Sequence, residues 1–126
     1  MSKRLLFFIN SSLIHYGIAK FLQKKNEFDT YAIYDIQDTT KDFFETQKIV
    51  DFKKSWFYQE HIKKNHKVDL DYLHDFEKKN KINIWKLVYG DRLFIDPVFH
   101  KFSYYEILSI VEQSCKFFES VLEEIK

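Results

Sequence analysis

A chain of 126 residues with 20 lysines and arginines against 19 aspartates and glutamates carries a formal charge of +1. That balance excludes the clear basic excess of a dedicated nucleic-acid binder. A content of 45% hydrophobic and 31% charged residues excludes a disordered chain and describes a globular one. The one cysteine, Cys115, excludes an internal disulfide framework and a cysteine-based zinc cluster. It falls within an apolar helical pattern and reads as inert packing. Two glycines and one proline stand where average usage gives about 15. Lys, Asn, Ile, Phe and Tyr are abundant, which points in part to coding-sequence base bias and lowers the weight of the 19% aromatic content. The longest run without a charged side chain or a histidine, Leu5 to Ile14, is about half of what a membrane-spanning helix needs. No small-residue cleavage site follows it. The expectation is a cytoplasmic chain with no transmembrane segment.

Taken in order, Arg4 to Ile9 (RLLFFI) is a short continuous apolar run of the kind a strand covered on both faces shows. Asn10, Ser11 and Ser12 are helix-capping residue types. Beyond them Leu13, Ile14, Gly17, Ile18, Phe21 and Leu22 recur at helical spacing, with Lys20, Gln23, Lys24 and Lys25 on or near the other side. Thr30 to Ile36 (TYAIYDI) reads as a second strand, and strand, helix and strand within about 35 residues is one βαβ unit. Asp35, Asp38, Thr39 and Thr40 form its polar exit, Lys41 to Gln47 reads as a short helix, and Lys48 to Phe52 as a third strand.

From Lys53 to Lys81 the pattern reads as polar and helical. Trp56, Phe57, Tyr58 and Ile62 give one aromatic face, and Leu70, Leu73 and Phe76 with Tyr72 give another. Ile82 to Phe94 carries Ile84, Leu87 and Val88 on a helical stripe that Gly90 closes, and Asp96 and Pro97 mark a loop. Ser103 and Glu106 form an S-x-x-E capping box before a terminal helix of about 24 residues. These elements predict an α/β, Rossmann-like fold over residues 1–126, with a parallel sheet of about three strands and a helix-rich carboxyl half. A terminal helix of this kind normally delivers the chain to another parallel strand. The sequence therefore reads as a small three-strand sheet with a helical flank, or as the front section of a larger Rossmann-like domain.

The segments RLLFFINSSLIHYGIAKFL, YAIYDI, INIWKLVYGDRLF and EILSIVEQSCKFFESVLEEI together resemble the amino-terminal part of capsular and surface-polysaccharide biosynthesis proteins. Those proteins are similar to glycosyltransferases of the two-Rossmann-domain type. Trp85, Lys86, Leu87, Asp91 and Arg92 are the most distinctive piece of the resemblance, which covers nearly the whole chain. It implies an acceptor-side domain. By the same resemblance the nucleotide-sugar is expected on a second, donor-binding domain or subunit outside these residues, and the chain is not expected to be catalytic alone.

Three places carry candidate chemistry. The turn Asn10-Ser11-Ser12 lies where a strand meets a helix amino terminus, the edge at which open α/β sheets bind ligands and free N–H groups favour anions; the plainer reading is a helix cap. The resemblance gives His15, just inside that helix, a role in positioning or deprotonating an acceptor hydroxyl, against the alternative of a solvent-facing histidine. Asp35 and Asp38 can accept hydrogen bonds from sugar or ribose hydroxyls or cap the next turn. Trp85, Tyr89, Asp91 and Arg92 combine an aromatic face with a charged pair, which suits a carbohydrate, or pack the helical flank and fix its turn.

Glycine-rich dinucleotide and phosphate-loop motifs are missing from the sequence, so no nucleotide cofactor is implied. His61, His66, His74 and His100 lack metal-ligand spacing, and no metal is expected. The lysines at 63, 64 and 67 and at 78, 79 and 81 read as solvated faces with a weak attraction for anionic membrane surfaces, a peripheral contact at most. The leading expectation is thus the acceptor-side portion of a glycosyltransferase-like protein. The rival is a non-catalytic binding or interaction module that pairs with another subunit, or with a second copy through its terminal helix.

Overall fold

The computed structural model describes residues 2–10, 13–90 and 102–126. The chain divides into two compact units, one of residues 1–61 with Ile125 and the other of residues 62–124 with Lys126.

In the first unit, β1 (Lys3–Ile9), α1 (Ile14–Gln23), β2 (Phe28–Tyr34), α2 (Asp38–Thr46) and β3 (Lys54–Phe57) alternate along the chain, followed by a 3-10 turn, Tyr58–His61. The strands lie in the order β1-β2-β3, all parallel. Lys3 stands opposite Phe28 and Ile9 opposite Tyr34, while Tyr31 to Tyr34 run beside Lys54 to Phe57. Parallel neighbours need a crossover, and α1 and α2 supply the two this sheet requires. The fold is α/β and Rossmann-like.

Side chains alternate across a strand, so Thr30, Ala32 and Tyr34 share one face of β2, and all three are buried. Ala32 and Tyr34 join Ile9, Tyr16, Ala19, Ile36, Phe44 and Val50 in the core. Tyr34 is its hub: the rings of Phe44 and Phe57 each lie 5.1 Å from it, and the Tyr16 hydroxyl donates to the Tyr34 hydroxyl at 3.2 Å. Burial, then the mutual hydrogen bond, raises the Tyr16 phenol far above its ordinary range, so the pair is neutral.

Two sequence expectations are corrected here. The third strand is not Lys48–Phe52 but Lys54–Phe57, inside the stretch read as helical. Gln47 folds residues 48–50 into a turn, its Oε1 accepting from the amides of Ile49 (2.9 Å) and Val50 (3.0 Å) and its Nε2 donating to the Val50 carbonyl (2.9 Å). Trp56 and Phe57 are successive rather than three or four apart, so in a strand they take opposite faces. Trp56 stacks on Tyr31 and Phe57 on Tyr34.

The second correction is the orientation of α1. The face packed on the sheet is Tyr16 and Ala19, not the stripe of Ile14, Ile18 and Phe21. Alanine at the contact lets helix and sheet approach closely, and Gln23 on the same side bonds Thr30 (2.6 Å) and the Asp51 carbonyl (2.6 Å).

The second unit is helical: α3 (Leu70–Asn80), α4 (Ile84–Gly90) and α5 (Tyr104–Ile125). Leu73, Ile84, Val88 and Ile107 form its core. The capping box is present as expected. The Ser103 hydroxyl accepts from the Glu106 amide at 3.2 Å, and the Glu106 carboxylate accepts from the Ser103 amide at 2.7 Å. Residues 62–69 have no regular structure and are fastened to α5. Gln113 accepts from the Lys63 amide (2.8 Å) and donates to its carbonyl (3.0 Å), while Glu112 meets His66 (2.8 Å) and the Asp69 amide (3.2 Å). Among the described residues no helix is long and apolar enough to cross a membrane.

Candidate functional site

The three parallel strands end together, Ile9 beside Tyr34 and Tyr34 beside Phe57, and the loops leaving such carboxyl ends are where open α/β sheets bind ligands. In the first unit that edge holds a cleft of about 660 Å³ lined by Asp35, Ile36, Gln37, Asp38, Thr40 and Gln59. The loop after β2 contributes most of it, and the turn after β3 contributes Gln59.

Each side chain is positioned by backbone structure. The Asp35 amide donates to the Ile9 carbonyl at 2.9 Å, extending the β1–β2 ladder one residue past the strand and fixing Asp35 at the mouth of the cleft. Gln59 Nε2 donates to Asp35 Oδ1 at 2.7 Å. Asp35 Oδ2 has no hydrogen-bond partner among the described residues. Ile36 is buried beneath the loop and anchors it. At the start of α2 the Gln37 carbonyl accepts from both the amide and the hydroxyl of Thr40, each at 3.0 Å. Asp38 occupies the first turn of α2, where a negative charge is favoured by the helix dipole.

Beside the cleft, Lys41 is committed elsewhere. Its ammonium pairs with Glu60, lies 3.6 Å from Glu45, and sits 5.0 Å above the Phe57 ring. The Glu60 hydrogen bond foremost holds its pKa above the ordinary lysine value. The lining is therefore two carboxylates, two amides and a hydroxyl, without a cationic side chain.

The structure brings only some of the sequence candidates to this place. Asp35 and Asp38 line the cleft, and Asn10 follows β1 at the same edge of the sheet, exposed. Ser11 and Ser12 lie outside the described residues, and the cap position of α1 is Leu13, which offers no side-chain cap. His15 is half-buried on α1, neither lining the cleft nor facing solvent freely. Its Nδ1 is enclosed and has no hydrogen-bond partner among the described residues.

Trp85 belongs to the second unit, stacked on Tyr104 at 4.8 Å and against Tyr89 at 6.2 Å. Asp91 and Arg92 lie outside the described residues. Thr40 belongs to the polar exit of β2 that the sequence shows, whereas Gln37 and Gln59 were not singled out by sequence. Gln59 was legible only to a reading that placed a strand at Lys54–Phe57, since its place follows from that strand's end. Among the described residues no three His, Cys, Asp or Glu side chains converge on a metal position.

Comparison of the chain with protein-family models, with curated proteins and with solved structures found no match in any of the three.

Proposed function

We propose that the chain is the acceptor-side, amino-terminal portion of a cytoplasmic, glycosyltransferase-like protein of capsular or surface-polysaccharide biosynthesis, and that it requires a separate donor-binding domain or subunit for catalysis. The observation that carries this reading is the composition of the cleft at the carboxyl edge of the sheet. Carboxylates, amides and a hydroxyl accept and donate hydrogen bonds to a polyhydroxylated ligand, and Asp35 is already oriented by Gln59. The same lining disfavours a nucleotide diphosphate. Two carboxylates repel phosphate, and Lys41, the nearest cation on α2, is engaged by Glu60 and Glu45. A sugar acceptor fits this electrostatic pattern better than a sugar donor does.

Amide chemical shifts recorded while titrating neutral oligosaccharides test it. Shifts at Asp35, Gln37, Asp38 and Gln59 are expected, with affinity falling about tenfold in Asp35→Asn, the size of one hydrogen bond to a charged group. UDP-glucose is expected to leave those amides in place. Saturable UDP-glucose binding by this chain alone, or no response to any oligosaccharide, overturns the assignment.

A further inference from the structure

The outer face of α1 is apolar. Opposite the buried Tyr16 and Ala19, Ile14, Ile18 and Phe21 recur at helical spacing beside Gly17, with Leu13 at the entrance. They are 71%, 47%, 60% and, for Leu13, 63% exposed. A helix packed on a sheet by one face normally shows water a polar opposite face. Here both faces are apolar, and the outer one runs about 10 Å from Ile14 to Phe21.

The charge around this stripe has one sign. From Leu13 to Asn26 the charged side chains are Lys20, Lys24 and Lys25, all exposed, and the next carboxylate is Glu27. Lys25 lies along the stripe, its ammonium 5.1 Å above the Phe21 ring. Lysines can lay their methylene stems beside apolar side chains and keep the ammonium at a polar boundary.

We propose that α1 is an interfacial helix that docks the protein on an anionic lipid surface, with Leu13, Ile14, Ile18 and Phe21 entering the headgroup–acyl boundary and Lys20, Lys24 and Lys25 meeting lipid phosphates. Positive charge flanking an apolar stripe is complementary to that surface. A second copy is disfavoured, because pairing two α1 helices sets lysine against lysine with no acidic residue on either helix. The side chains stand outward on a helix ridge, which a fluid interface can close around. This docking is independent of the sugar reading: it uses a different face of the first unit from the cleft, and loss of either leaves the other standing.

Sedimentation with vesicles of equal parts phosphatidylglycerol and phosphatidylcholine, against phosphatidylcholine alone, tests it. Binding is expected to the anionic vesicles and to weaken with salt. The Lys20→Gln/Lys24→Gln/Lys25→Gln variant is expected to bind about a hundredfold more weakly. Ile18→Asn/Phe21→Ser, which alters only exposed positions, is expected to bind at least about tenfold more weakly, with an unchanged circular dichroism spectrum. The second variant keeps every lysine, so it separates insertion from general attraction to the basic runs elsewhere in the chain. No binding to anionic vesicles, equal binding to both vesicle types, or full binding by Ile18→Asn/Phe21→Ser overturns the proposal. So does self-association, or capture of an acidic amphipathic peptide, through the same stripe without vesicle binding.

Discussion

Glu112 is a fully buried carboxylate whose neighbours decide its charge. Burial pushes its pKa up, but the Lys116 ammonium (2.5 Å), the Asp69 amide (3.2 Å) and His66 (2.8 Å) outweigh that and hold it below the ordinary glutamate value. A carboxyl depressed in the folded state contributes stability above its unfolded pKa and loses it as pH falls through the folded one. The second unit is therefore expected to lose stability as pH falls from 4.5 downward, and urea titrations should show that acid loss blunted in Glu112→Gln. Glu112→Ala strands His66 and the Asp69 amide and is expected to cost about 3 kcal/mol at neutral pH, read from the urea midpoint. Three residues along α5, burial first and then the charges of Glu119 and Glu112 push the Cys115 thiol up to about 11. Its alkylation by iodoacetamide at neutral pH should run about two orders of magnitude slower than that of a free cysteine.

Among the elements, local signals were most legible where chain chemistry and packing agree. The Ser103–Glu106 box places the start of α5 because two side chains satisfy two amides that the helix itself cannot. Ser103→Ala should destabilise by about 1 kcal/mol in thermal or urea melts. Helix α3 ends differently, on Lys81 in the left-handed region (φ 54°, ψ 42°), where a side chain is strained and glycine is not. Lys81→Gly should raise the urea midpoint, by about 0.5 kcal/mol in stability. Two local readings failed. The aromatic pair Trp56–Phe57 was assigned a helical period although adjacent residues in a strand serve opposite faces. The turn made by Gln47 was invisible, because its bonds to residues 49 and 50 depend on a side-chain geometry that no spacing rule encodes.

At the scale of the whole molecule, the first unit sets a polar cleft at the carboxyl edge of a parallel sheet, while the second builds helices around its own core. On the proposed acceptor-side reading, this chain by itself should produce no glycosyl transfer when supplied with UDP-glucose and oligosaccharide together, and product analysis by mass spectrometry checks this. Part of the candidate site is legible in the sequence. Asp35 and Asp38 follow a strand whose end can be seen in TYAIYDI, whereas Gln59 joins them from 24 residues further along and only through the pairing of β2 with β3.

The amino-acid sequence by itself determined the α/β class, the parallel strand–helix–strand opening, the capping of the terminal helix and the absence of glycine-rich phosphate loops. All of these follow from short-range periodicity and residue type. Tertiary structure decided which face of α1 meets the sheet, where the third strand lies, and that a glutamine completes the cleft. Each of those depends on competition for burial between segments distant in the chain. Ala19 and Tyr16 won the contact over a more hydrophobic stripe because close approach and ring stacking on Phe44 favour them, and that outcome left the apolar face of α1 exposed.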